Sequence, residues 1–97
     1  MRTLIIKRPW SFIGCVIPMK VNIDGMVETK LGSGKTVTLQ IDEKEHKVQV
    51  VTSDDSGGYV GNPTKYSNVV HISSGSDNVN LVAEAGGFFS SHKLRLE

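Results

Sequence analysis

Ninety-seven residues make one domain's worth of chain, with eleven Lys and Arg against ten Asp and Glu for a net charge of +1. A chain of this size typically buries roughly two thirds of the surface that its unfolded form exposes, enough for one modest core. A charge this close to zero creates no global field for a polyanion or an anionic membrane, so nucleic-acid binding is not expected. The single cysteine, Cys15, allows no internal disulfide, which suits a reducing, cytoplasmic setting.

Taken in chain order, the first element is a strand over Thr3 to Lys7. Its apolar patch is broken by Lys7-Arg8-Pro9, and no later run approaches the roughly 20 apolar residues of a membrane helix. Membrane insertion is therefore not expected. Phe12-Ile13-Gly14-Cys15 has the shape of a lipoprotein cleavage site, but only four apolar residues behind two charges and a proline precede it, so it is read as no signal peptide. Ile13, Val16 and Ile17 surround Cys15 with apolar residues, the setting of a structural thiol and not of a nucleophile.

Period-two alternation then dominates. Met19 to Asn22, Met26 to Leu31, Thr36 to Ile41, Lys47 to Val50, Asn68 to Ser73, Asn78 to Ala85 and His92 to Leu96 are the further strands, and no segment has a helical period. The class is all-β, a small antiparallel β-sandwich of about seven to eight short strands. One domain spans residues 1–95, and 96–97 reads as an expression-vector remnant.

The turns carry register. A two-residue Asp24-Gly25 turn would place Glu28 opposite Val21, whereas a three-residue loop Ile23-Asp24-Gly25 sets Val21 against Val27 and is preferred. A three-residue loop Gly32-Ser33-Gly34, with positive φ at Gly34, would then pair Thr29 with Val37. A four-residue loop Asp42 to Glu45 would pair Leu39 with Val48. These three turns predict a four-stranded meander with one shared apolar face.

Leu31 to Thr36, "LGSGKT", ends like a phosphate-binding loop. Such a loop needs a first glycine where Thr29 stands and a helix where Val37 to Ile41 alternate as a strand, so the stretch is read as a turn. His46, His71 and His92 lie far apart with no ligand at a spacing of two; His46 shares the parity of Val48 and Val50 and is expected at the rim of the core, the other two on the surface. Asp54-Asp55 lacks the alternation of a calcium loop. With no Gly-x-Ser-x-Gly elbow either, neither an enzyme nor a cofactor is expected.

Aromatics on loops remain. Trp10 and Phe12 precede the second strand, Tyr59 and Tyr66 flank the polar, glycine-rich stretch 53–67, and Phe88-Phe89 follow two glycines. In small sandwiches such rings commonly plug the ends of the core; when exposed, Trp10, Tyr59 and Tyr66 are the candidates for ligand binding. Stretch 53–67 is the first place to seek a site.

Val21, Ile23, Asp24, Gly25, Leu39, Ile41, Glu45 and His46 follow a scheme in which a strand ends in Asp-Gly and a later one opens at an acidic-Gly-Glu-His element. Residues 2–52 thus resemble the PEGA-type unit of bacterial surface and membrane-associated proteins, although Lys44 replaces the usual glycine. The resemblance implies a small β-sandwich serving as an interaction or spacer module of bacterial origin, without catalytic residues. The functional expectation is a non-enzymatic binding module with a protein partner or self-association. Recognition of a glycan or cell-envelope ligand, or homodimerisation through an edge strand, are its alternatives.

Overall fold

The computed structural model describes residues 1–10, 18–52, 65–86 and 91–97. Among these residues nine strands follow one another: β1 (Arg2–Lys7), β2 (Met19–Ile23), β3 (Met26–Leu31), β4 (Thr36–Ile41), β5 (His46–Thr52), β6 (Lys65–Tyr66), β7 (Val70–Ile72), β8 (Val79–Glu84) and β9 (Lys93–Leu96). All eight expected strands are present, and the short β6 is the ninth.

The strands form two sheets. One has the order β4-β1-β8-β9; the other runs β3-β2-β5-β6, with β7 also paired to β5. Leu4, Ile6, Leu81, Ala83 and Leu94 from the first sheet meet Met19, Val21, Ile23, Val48, Val50 and Ile72 from the second in one buried core. Each Val, Leu, Ile or Met side chain among them taken out of water contributes about 1.5–3 kcal/mol. The sheets are not wholly antiparallel, because β1 and β8 run parallel with Leu4 beside Val79 and Ile6 beside Leu81.

The expected meander does not form. β4 pairs with β1, Leu4 against Leu39 and Ile6 against Val37, while β5 pairs with β2, Val21 against Val50. The chain therefore changes sheet at Gly32–Lys35 and again at Asp42–Glu45. Alternation marks which side chains point into the core, and that is the same whether two strands lie side by side or face each other across it. Turn length was right at 42–45; the inference of pairing from it was not.

The β2–β3 register also departs from expectation. Asp24 (φ 53°) and Gly25 (φ 86°) form a two-residue turn with both central residues left-handed, the geometry that suits the twist of a hairpin. Ile23 pairs with Met26 and Asn22 with Val27, and then the register shifts so that Val21 meets Thr29. A β-bulge at Glu28 thus removes the clash of parity that had argued against the tight turn.

At the first crossing, the Lys35 N–H donates to the Gly32 carbonyl (3.1 Å), and Gly34 takes a φ of 73°. Positive φ at Gly34 was expected, though here it turns a corner between sheets. Arg8 secures that corner. Its N–H donates to the Lys35 carbonyl (2.9 Å), and its buried guanidinium reaches the Leu31 carbonyl in the other sheet (2.9 Å). Arg2, on the same inward row of β1, donates to the Lys44 carbonyl (2.8 Å) at the second crossing. Leu96 ends β9, and Glu97 forms an ion pair with Lys7 (3.0 Å).

The two sheets are stitched along one side. β6 and β7 are one interrupted edge: Val51 opposes Tyr66, but Val48 opposes Val70, a shift of one residue. At the interruption the Asn68 carboxamide acts as a backbone surrogate, donating to the Leu94 carbonyl (2.8 Å) and accepting from its N–H (2.9 Å). Ser67 and His92 form a bridge beside it.

Replacing Gly34 with valine should lower stability by about 2 kcal/mol, because left-handed backbone is unfavourable for an L-residue and more so for a β-branched one. Arg8→Met should cost about 2 kcal/mol through the unpaired Leu31 carbonyl. Urea unfolding of both variants checks these values.

Candidate functional site

Both ends of the molecule hold polar clusters, and their chemistry decides what is available for function. At the end carrying the Asp24-Gly25 turn, Asp24 docks on β5: its N–H donates to the Lys47 carbonyl (2.9 Å) and its Oδ1 accepts the Lys47 N–H (2.9 Å). Asp42 opens the second crossing with an Asx turn, accepting the Lys44 N–H at Oδ1 (2.9 Å). His46 lies between them, with Nδ1 2.6 Å from Asp24 Oδ2 and Nε2 2.6 Å from Asp42 Oδ1. Ionised carboxylates only accept, so this geometry favours the imidazolium, in which each ring N–H donates to one carboxylate.

The electrostatics agree with that reading. Hydrogen bonding to Asp24, opposed by partial burial and reinforced by Asp42, raises the His46 pKa above 6.5. The His46 ring and the Lys47 N–H hold Asp24 below the usual carboxylate range; the Lys44 N–H and the ring do the same for Asp42. The rim position expected for His46 is observed, whereas its two carboxylate partners were not foreseen. An open depression of about 370 Å³ beside this cluster is lined by Asn22, Asp24, Gly25, Lys47, Gln49 and Val69.

At the opposite end, His92 is buried, not on the surface as expected, because it shares the inward parity of Leu94. The Gly86 N–H donates to its Nδ1 (2.9 Å), which makes Nδ1 the acceptor. In the neutral ring the proton therefore sits on Nε2 and is donated to Thr52 Oγ1 (2.8 Å). Burial lowers the His92 pKa, and the positive charges of Lys65 and Arg8 lower it further. His71 is exposed, as expected. Among the described residues, no group of three or more His, Cys, Asp and Glu is placed to hold a metal ion.

The stitched seam carries an open groove of about 920 Å³ lined by Tyr66, Ser67, Asn68, Ser91, His92, Lys93, Leu94 and Arg95. Tyr66 stands on its rim with 55% of its surface exposed. Of the two expected ligand-binding aromatics among the described residues, Tyr66 lines this groove and Trp10 does not. Trp10 is 65% exposed and lies against the Gly34 corner, where a Cβ at Gly34 would sit 3.5 Å from the Trp10 Cβ. Neither ring plugs an end of the core, since both are largely exposed. Tyr59, Phe12, Phe88, Phe89, Cys15 and most of stretch 53–67 lie outside the described residues.

The chain matches no protein-family model, no curated protein and no solved structure. Among the described residues, no helix is long and apolar enough to cross a membrane.

The two histidines set a pH profile. His46, with its pKa raised on folding, contributes stability that is complete below pH 6.5 and is lost as pH rises through its folded pKa. His92, with its pKa lowered, contributes stability that is complete above pH 6.5 and is lost as pH falls toward its folded pKa. Thermal unfolding should therefore be most resisted near pH 6.5. In His46→Asn the alkaline decline should flatten while the acidic one persists.

Proposed function

We propose that this chain is a small non-enzymatic interaction module, similar to the PEGA type, that binds a partner in the groove along β9 with Tyr66 as its anchor. The observation that carries the proposal is the exposed Tyr66 ring on an open groove lined also by Ser91, Lys93 and Arg95. A half-exposed aromatic beside fixed polar groups supplies contact area at small entropic cost.

Two features support a binding role over catalysis. His46 has both nitrogens engaged by carboxylates, so it has no lone pair for a base. The proton on His92 Nε2 faces Thr52, which leaves that ring unable to activate the Thr52 hydroxyl. No cofactor enters this reading. The spacing of Asp24-Gly25 and Glu45-His46 supports a bacterial spacer or interaction unit.

A glycan or cell-envelope ligand is the second reading, favoured by the juxtaposition of the Tyr66 ring with Asn68 and Ser91. Capture of partners from a bacterial lysate and nuclear magnetic resonance titration with envelope oligosaccharides separate the two. In either case Tyr66→Ala should weaken binding about tenfold, the scale of a rim aromatic anchor, and leave the melting temperature unchanged. Binding that survives the substitution would overturn the groove assignment.

A further inference from the structure

Among the described residues, four sheet edges need protection from pairing with other chains, and three of them have it. β9 and the β6–β7 edge are stitched together by Asn68 and the Ser67–His92 bridge. β3 carries the bulge at Glu28 together with charged Glu28 and Lys30. β4 carries none of these devices: Thr36-Val37-Thr38-Leu39-Gln40-Ile41 has no charge, no proline and an unbroken register against β1.

The backbone groups left on the open side of β4 can be assigned. The Arg8 N–H donates to the Lys35 carbonyl, so Lys35 faces β1, and alternation turns Val37, Leu39 and Ile41 the same way. Thr36, Thr38 and Gln40 therefore direct their N–H and C=O groups outward. Their side chains are exposed, whereas Val37 and Leu39 are half-buried and pack on the core.

We infer that β4 is a self-complementary edge through which two copies of this chain associate as an antiparallel, two-fold dimer centred on Thr38. About that axis Thr38 exchanges both backbone hydrogen bonds with its symmetry mate, and Thr36 exchanges both with Gln40 of the second copy. Val37 comes to lie opposite Leu39, each completing the burial of the other on the core side. Charge selects the antiparallel sense: Lys35 precedes the strand and Asp42-Glu43 follow it, so antiparallel pairing brings the cation of one copy to the acidic end of the other. The parallel arrangement would set like against like. The alternative axis through Leu39 would pair Thr36 with Asp42, which lies past the end of β4, in the crossing to β5. The dimer joins two four-stranded sheets into one, leaves the Tyr66 groove open and does not depend on the groove binding anything.

Sedimentation equilibrium of the full chain across micromolar to millimolar concentration reads the association. The expected result is a reversible monomer–dimer equilibrium. Thr38→Lys, which adds a like charge at the axis on an exposed side chain, should raise the dissociation constant at least tenfold. Thr38→Glu alone should do the same, and an equimolar mixture of the two variants should restore association as a heterodimer. Circular dichroism establishes that each variant is folded, and the mixture tests the axis even if one variant is less stable. A parent chain that stays monomeric throughout, an association indifferent to Thr38→Lys, or a mixture that fails to recover would each overturn the inference. A monomeric parent with intact Tyr66-dependent binding would overturn the dimer alone.

Discussion

The fold depends on closing the corners where the chain crosses from one sheet to the other. A strand that leaves its sheet turns backbone carbonyls toward the interior, and a buried carbonyl without a donor is costly. β1 answers at both ends with one row of side chains, Arg2, Leu4, Ile6 and Arg8, all facing inward. The middle pair supplies apolar core, and the outer pair sends guanidinium groups to Lys44 and Leu31 in the crossing segments. A guanidinium suits the position because its long apolar stem lies along the core while its planar head offers several donors at the rim. Both arginines are thus buried for a geometric reason, and the charge that the composition counts as surface charge is partly structural.

The extent to which this was legible from sequence follows from what alternation encodes. Thr36 to Ile41 and Lys47 to Val50 announce strands and name their buried faces, and both statements hold in the structure. Alternation says nothing about neighbours, because Leu39 pointing at the core looks the same whether its strand lies beside β5 or across from it. The meander failed for that reason. The tight Asp24-Gly25 turn was rejected on parity, and one bulged residue at Glu28 was enough to restore it. Local chemistry at the turns, positive φ at Gly34 and the four-residue span of Asp42 to Glu45, was readable since it depends on a few adjacent residues.

The polar clusters show the same division. The rim position of His46 followed from its parity with Val48 and Val50, but its partners come from positions 22 residues and 4 residues away, joined only by the crossing of the chain. His92 has the parity of Leu94 and could have been placed inside on that ground. Its burial is tolerated because the Gly86 N–H and the Thr52 hydroxyl satisfy both nitrogens of a neutral ring. Arg2 and Arg8 also fall on the inward parity of β1, and the usual exposure of arginine hides them from a reading based on residue type.

These structural commitments narrow where function can reside. The imidazolium of His46 fastens the β2–β3 turn to the second crossing, and the neutral ring of His92 fastens β9 and Gly86 to the end of β5. The surroundings push the two rings in opposite directions: carboxylates raise the pKa of His46, and burial with nearby cations lowers that of His92. The proton on each ring is thus coupled to contacts that hold the fold together. Among the described residues, the Tyr66 ring and the uncharged edge of β4 stand apart from these two clusters. Both are open to solvent, the first through a half-exposed ring and the second through the outward backbone groups of Thr36, Thr38 and Gln40.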